Sequence, residues 1–488
     1  MLVTCKQMAA AEAQLFATGV PAEELMDEAG EKCYRAIEQF FPKPARAVVF
    51  CGKGNNGGDA LVVARWMKRN GWDVVIEYSH GVEGLSELAA RKHAEWEAEG
   101  KPDSEPEDSS LVLVDGLLGI GSTGALRGEI LTAAEKLAAL RREKSATCFA
   151  IDIPTGLNAD TGEPGTGTVI ADYTLTISYA KSGFPADEAT PFLGRLVEIP
   201  LAIPVSEAEE SVRFLFPSHL ASRWPRRSFD FHKGEAGRVL LLAGSPGLTG
   251  AAILTALGAS RSGAGLTTVG VPEEIYPIVA ARSPSEVMIR PITSLREALE
   301  IDHDVVALGP GLGRDRNRSV IDAVLHHEKP MVVDADALNA LAQEKISPKR
   351  LPATRLLTPH PGELARLSSI GNNRLETARS LADEWGLTLL YKGSRTAIAT
   401  PGFPVELNTT GHPGMASGGM GDVLTGVCAS LIGQGVGCHD AACLGSWLLG
   451  RSAEFARDTQ EIAAESVSAE MVANHLGGAI KSLLRPSF

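Results

Sequence analysis

The sequence predicts an α/β protein of two three-layer units, each built on a largely parallel sheet. Three observations carry this expectation. At 488 residues the chain exceeds one ordinary domain, so two compact units of roughly 200 to 270 residues are expected. Short apolar runs alternate with longer amphipathic ones, the pattern of βαβ units around a parallel sheet. The alternation stops once, near residues 202 to 234, and then restarts. The expected domains are 1–215 and 225–488.

Taken in order, the first forty residues read as a pair of amphipathic helices. The runs "ARAVVFC", "DVVIEYS", "LVLVD", "CFAID", "YTLTISY" and "RLVEIP" then read as buried strands, being short, apolar and rich in β-branched residues. Stretches 58–70, 84–99 and 128–143 keep helical spacing. Scattered proline and charge mark residues 202–234 as a linker. Beyond it, "RVLLLAG", "GLTTVGVP", "DVVALGPG", "KPMVVDAD", "TRLLTPH" and "LTLLYKG" supply strands, with helices including 249–262 and 315–327 between them and a helical block over 419–484. In both halves the distinctive residues follow strand ends, where open α/β sheets bind ligands.

Bulk composition excludes several classes. A net charge of -14 argues against a polyanion-binding surface, so nucleic acid is not an expected partner. Seven cysteines without a CxxC pair indicate neither a disulfide framework nor a zinc site and read as reduced core thiols. No segment offers about 18 uninterrupted apolar residues, and the N-terminal stretch lacks a basic run followed by a long apolar one. A cytoplasmic protein without membrane contact is expected, as a homo-oligomer.

In "GGMGDVLTG" (418–426) glycines open a helix, a place suited to an anion, yet it carries Asp422. Backbone N–H groups at Gly419, Met420 and Gly421 can hold a phosphoryl group while Asp422 takes the proton of an attacking hydroxyl. A capping aspartate at a glycine-rich helix start is the bland alternative. Accompanying it are "GSPGLTGAA" (244–252), "LGPGLG" (308–313), "VVDADALNAL" (332–341), "TPHPGEL" (358–364), "YKGSRTAIA" (391–399) and "NTTGHPGMASGG" (408–419). Lys392 alone could be a solvated strand-end lysine. Asp334 and Asp336 suit a cleft, a magnesium shell or a turn.

This ordered set resembles the ribokinase-like NAD(P)H-hydrate dehydratases over residues 225–488. The resemblance implies that Ala251, Gly311, His360 and Asp422 contact the damaged nicotinamide nucleotide, and that Lys392, Gly393, Ser394, Arg395, Thr396 and Gly421 hold the phosphoryl donor, ADP, with Mg2+. Phosphorylating the C6 hydroxyl of a hydrated dihydronicotinamide makes a good leaving group, which the ring nitrogen can expel. A proline-flanked His360 could instead be exposed or capping.

In the first half, "CGKGNNGGDALVVAR" (51–65) joins a strand to a helix but lacks the Lys-Ser/Thr ending of a P-loop. Asn55, Asn56 and Asp59 set oxygen atoms beside N–H donors, suited to a phosphate-bearing ligand and an oxygen-liking cation. A tight turn with an Asx cap would also explain them. With "VDGLLGIGSTGALRG" (114–128) and "IDIPTGLNADTG" (151–162), the stretch resembles the NAD(P)H-hydrate epimerases over residues 1–215. That implies hydrate binding by Asn55, Asn56, Gly57, Gly58, Asp59, Gly119, Ile120, Gly121, Ser122, Thr123, Gly124, Ala125 and Asp152, and K+ binding by Asn56, Asp115 and Thr155, where serine is the more usual hydroxyl. Asp152 is the candidate acid/base group, ahead of Asp59; a structural carboxylate is the alternative.

Together the halves read as a bifunctional, Rossmann-like epimerase plus ribokinase-like dehydratase that restores NADH and NADPH from NADHX and NADPHX, giving AMP and phosphate from ADP. The rival reading is a small-alcohol or vitamin kinase fused to a non-catalytic ligand-binding module.

Overall fold

The computed structural model describes residues 1–100, 109–121, 124–205, 210–313 and 317–485. Two compact units emerge, one from Met1 to Val212 and one from Arg213 onward. In the first, helices Cys5–Ala17 and Ala22–Phe40 precede a six-stranded sheet. Its order is Asp73–Tyr78, Arg46–Cys51, Leu111–Gly116, Thr147–Ile151, Tyr173–Ile177, Arg195–Ile199, and every neighbouring pair is parallel.

Strand side chains alternate between faces, and the buried residues divide accordingly. Val49, Val112, Val114, Phe149 and Ile151 pack with Cys33 and Ile37 of one helix and Leu61 and Val63 of helix Asn55–Arg69. Phe50, Leu113 and Cys148 pack on the other side with Ala134 and Leu137 of helix Gly128–Lys144. Three layers result.

The second unit carries a ten-stranded sheet in the order Met288–Ile292, Leu266–Pro272, Arg238–Leu242, Val305–Leu308, Met331–Val333, Arg355–Leu357, Thr388–Tyr391, Ala397–Ala399, Val405–Asn408, Val212–Leu215. Pairing is parallel as far as Thr388–Tyr391 and antiparallel through the next two strands. Val239, Leu241, Val305, Ala307, Val332, Leu356 and Leu390 form one core with helices Thr249–Arg261, Met420–Gly433, Cys438–Gln460 and Ala469–Leu484. Helix Arg374–Trp385 packs on strands Thr388–Tyr391 and Ala397–Ala399.

Two helices of that core meet at their glycines. A Cβ on Gly258 would stand 2.2 Å from the Val423 carbonyl oxygen, and one on Gly426 2.1 Å from that of Thr255. This backbone-to-backbone approach fixes where helix Met420–Gly433 begins.

One expectation is corrected. Val212–Leu215 lies inside the stretch expected as a linker, yet it forms an edge strand of the second sheet. Four residues are too few for a periodicity to show. Among the described residues no helix is long and apolar enough to cross a membrane. All seven cysteines are free, and Cys5 and Cys438 are only partly buried.

Candidate active sites

In the second unit the winding reverses between Arg238–Leu242 and Val305–Leu308: the chain first adds strands on one side of Arg238–Leu242, then returns to the other. Such a switch point opens a crevice beyond the carboxyl ends of the strands. Its two loops are tied together, Gly244 N–H donating to the Pro310 oxygen at 2.8 Å and the Ser245 hydroxyl to the Gly311 oxygen at 2.8 Å. A Cβ on Gly311 would stand 2.8 Å from that of Ala251. These two expected substrate contacts therefore lie side by side.

The next strand ends deliver Asp334, His360 and Lys392 to the same edge. Lys392 Nζ lies 2.7 Å from Asp334 Oδ1 and 3.8 Å from Glu363 Oε2. The other Asp334 oxygen accepts from the Thr425 hydroxyl at 2.8 Å, tying this ion pair to helix Met420–Gly433. A Cβ on Gly421 would stand 3.3 Å from Lys392 Nζ, so both expected donor contacts face one spot. Gly419 caps this helix at φ 91, a conformation costly for other residues. The helix end concentrates N–H donors and positive field there.

Asp422 sits in that first turn. Burial pushes its carboxyl up to about 7, Asp334 adding to the effect, Lys392 opposing it and Asp336 adding again. A base near neutrality suits proton abstraction at neutral pH. Burial would pull Lys392 down, but Asp334 and Glu363 outweigh it and hold the ammonium above the ordinary lysine value. Burial raises Glu363, with Lys392 opposing and Asp334 adding. Asp336 accepts from Gly313 N–H at 2.9 Å, closing the loop that holds Gly311.

His360 caps helix Pro361–Leu367, its Nδ1 accepting from Gly362 N–H at 3.0 Å and its own N–H donating to Glu363 Oε2 at 2.9 Å. Half of its side chain remains exposed. Gly393 and Ser394 are exposed, and Thr396 donates to the Gly393 oxygen at 3.1 Å. Arg395 turns inward, its guanidinium 5.9 Å from the centre of the Phe214 ring. Arg374 is a residue that motif reading missed. A Cβ on Gly393 would meet its guanidinium at 2.1 Å, and it donates to the Tyr391 oxygen at 2.7 Å.

The first unit repeats the switch point between Arg46–Cys51 and Leu111–Gly116. Here Asn56, Asp115 and Thr155 converge. Thr155 donates to Asp115 through its hydroxyl at 2.7 Å and its N–H at 2.8 Å, and Leu117 N–H adds a third bond at 3.2 Å. Leu118 links the remaining pair, its N–H donating to Thr155 Oγ1 at 3.1 Å and its oxygen accepting from Asn56 Nδ2 at 3.0 Å. Asp115 is fully buried, and desolvation pushes it up to about 6 against the pull of those donors. None of the three donors is charged, so an oxygen-coordinated cation fits beside it.

Asn55, Asn56, Gly57, Gly58 and Asp59 form the opening turns of helix Asn55–Arg69. Gly119 rests on Asn56, where an added Cβ would be 3.4 Å from the asparagine Cβ. Ile120 packs partly against Val3, Met8 and Ala11, while Gly121, Gly124 and Ala125 are exposed. Ser122 and Thr123 lie outside the described residues.

Asp152 adopts φ 61, accepts from Ile177 N–H at 2.9 Å and is paired with the fully buried Lys181. Asp59, at intermediate exposure, is pushed well above its ordinary range by burial and by Asp152 and Glu12. Glu12 is itself raised by burial and by Asp152, with Lys181 opposing. Motif reading missed Lys181 and Glu12. Lys181 follows the predicted strand "YTLTISY" closely, but Glu12 comes from a helix far away in sequence.

Comparison with known proteins matches both halves. Residues 22–183 match the family described as YjeF-related protein N-terminus, and residues 239–474 the family described as NAD(P)H-hydrate dehydratase. The bifunctional NAD(P)H-hydrate repair enzyme Nnr of Moorella thermoacetica is 37% identical over 476 residues, spanning 90% of this chain and 88% of that protein. Its counterpart in Escherichia coli K12 is 36% identical over 485 residues, spanning 96% and 90%. Among solved structures, a ribokinase-like superfamily protein from Enterococcus faecalis V583 aligns at TM-score 0.51 and 27% identity, covering 58% of this chain and 99% of its own. The likeness to full-length relatives runs through both units with their two switch-point clefts, and the chain therefore belongs to the bifunctional NAD(P)H-hydrate repair enzymes, with an epimerase and a dehydratase domain.

Proposed function

We propose that the second cleft dehydrates NAD(P)H hydrate with Asp422 as base and ADP as donor. Asp422 takes the proton of the C6 hydroxyl, and that oxygen attacks the terminal phosphorus of ADP. The new O–P bond forms as the bond to AMP breaks. N–H groups at Met420 and Gly421, with Lys392 beside them, stabilise charge on the transferring phosphoryl group. The ring nitrogen lone pair then expels phosphate, and loss of the C5 proton restores the dihydronicotinamide. Ala251 and Gly311 line the coenzyme side, Arg374 and Gly393 the nucleotide side. Mg2+, when bound, supplies charge neutralisation on the donor phosphates, and the carboxylates of Asp334 and Glu363 are the oxygen ligands that would hold it.

In the first cleft, Asp152 and Asp59 are the acid/base pair for C6 epimerisation. Asp152 is paired with the buried Lys181, whereas Asp59 is raised by burial and by the neighbouring Asp152. Two carboxyl groups in such different surroundings, one beside an ammonium and one beside other carboxyls, can divide acid and base roles. K+ would sit among oxygens of Asn56, Asp115 and Thr155 and supply charge to the buried Asp115.

The observation that carries this reading is the single helix turn in which Asp422 and the N–H donors face Lys392. Mixed hydrate epimers supplied with ADP or ATP test it. Reduced-nicotinamide absorbance should grow with ADP, with one AMP and one phosphate per coenzyme restored. Accumulation of a stable phosphorylated alcohol would instead support a kinase.

A further inference from the structure

Apart from both clefts, three metal-ligating side chains meet inside the second unit. Glu406 comes from strand Val405–Asn408, and His439 and Cys443 lie one turn apart on helix Cys438–Gln460. The start of that helix touches the Thr354 oxygen, just ahead of strand Arg355–Leu357. The cluster therefore sits toward the amino ends of the parallel strands, opposite the edge that carries Asp334 and Lys392. All three side chains are buried.

We propose that Glu406, His439 and Cys443 form a binding site for a borderline-soft divalent cation of the zinc type. His439 Nε2 lies 3.0 Å from Glu406 Oε2; Cys443 Sγ lies 2.9 Å from that oxygen and 3.8 Å from the imidazole nitrogen. Bonds of about 2.0–2.3 Å at tetrahedral angles set ligand atoms roughly 3.3–3.5 Å apart, a spacing these three distances bracket. Helical i,i+4 spacing puts imidazole and thiol on one face. Thiolate, imidazole and carboxylate together suit zinc better than a hard cation.

The surroundings fit the same purpose. His439 Nδ1 is 3.0 Å from Thr400 Oγ1, itself 3.1 Å from Thr388 Oγ1, the outer hydrogen bonding that orients a metal-bound histidine. Arg223 grips both Glu406 oxygens, Nη1 at 2.5 Å from Oε2 and Nη2 at 2.6 Å from Oε1, and lies 3.3 Å from Asp440. A cation sharing Oε2 thus leaves Arg223 with Oε1 and Asp440. As the sulfur–metal bond forms, the Cys443 proton departs to solvent, and the cation with Arg223, Glu406, Asp440 and the thiolate makes a neutral group. Access needs little: the half-exposed Phe403 stacks on His439 at 4.2 Å, one side chain from solvent.

The test is titration of the chelator-treated full-length chain with Co2+ alone. One equivalent should give a thiolate-to-cobalt charge-transfer band in the near ultraviolet, and zinc should displace it. Cys443→Ser should lose the band, and His439→Gln should bind Co2+ at least about tenfold more weakly, having lost a ligand. Zinc should also raise the Tm of the unsubstituted chain by more than it raises that of His439→Gln. No band in the unsubstituted chain, or a band unchanged in Cys443→Ser, overturns the proposal.

Discussion

Asp422 carries opposite demands. A carboxyl raised on folding takes up a proton between its unfolded value of about 3.9 and the folded value near 7. Its ionised form therefore costs stability at neutral pH, a cost absent below about pH 4, where folded and unfolded states are both protonated. Asp422→Asn should lower the dehydration rate by about 10²–10⁴-fold yet raise Tm at pH 8, with the gain fading toward pH 4; kinetics and thermal melts check both. Dehydration should fall below pH 7 as the base protonates. Asp334→Asn removes a neighbouring negative charge, so that acid limb should move to lower pH. In the other cleft, Asp152→Asn should slow epimer exchange about 10²-fold or more, measured by chromatography of the two epimers, with dehydration of the preferred epimer unchanged. At this scale, much of the cleft was readable from sequence. Gly421, Asp422 and Lys392 fall within short glycine-bearing stretches that follow strand ends, and Glu363 lies inside "TPHPGEL". Arg374 and Glu12 were not readable, because each meets its cleft only through tertiary packing from a helix without a motif.

Elements set these residues through close contact of backbones. Helix Met420–Gly433 is seated by Gly258 and Gly426, where an added Cβ would stand 2.2 Å and 2.1 Å from the opposing carbonyl oxygens. Gly426→Ala should cost about 1–3 kcal/mol through overpacking, seen as a lower Tm. It should also reduce dehydration by displacing the helix start, while leaving epimerisation intact. Arg374→Ala should raise the KM for ADP more than it lowers kcat, because its guanidinium lies beside Gly393 at the expected donor side, away from the reacting oxygen. Most strands that the sequence revealed are buried on both faces and so read as apolar runs, whereas Asp73–Tyr78, expected as a buried strand, lies at a sheet edge and is only partly covered. Met288–Ile292 stayed hidden because Met288, Arg290 and Pro291 are exposed at the sheet edge, and Val212–Leu215 because it is brief. No CxxC pair marks a metal site in the sequence, whereas His439, Cys443 and Glu406 come together only once the hairpin and helix pack.

For the whole molecule, joining the two activities has a measurable outcome. With mixed epimers and ADP, the intact protein should restore all of the coenzyme in one phase, whereas recovery by Asp152→Asn should slow sharply once the fraction supplied as the accepted epimer is used up. A progress curve of reduced-nicotinamide absorbance distinguishes the two, and full conversion by the variant without a slow second phase would remove Asp152 from the reaction. The second core also has an order of assembly written into it. Helix Ala469–Leu484 contributes Val472, Ala473, Leu476 and Leu483 to the same apolar cluster as Ala252 and Ala256, more than two hundred positions earlier. During ribosomal synthesis that cluster stays open until nearly the whole chain has emerged, while the first sheet, complete by Ile199, is free to fold long before. A premature stop before Ala469 should thus leave a soluble, epimerising first half attached to a second half that proteases and chaperones treat as unfinished.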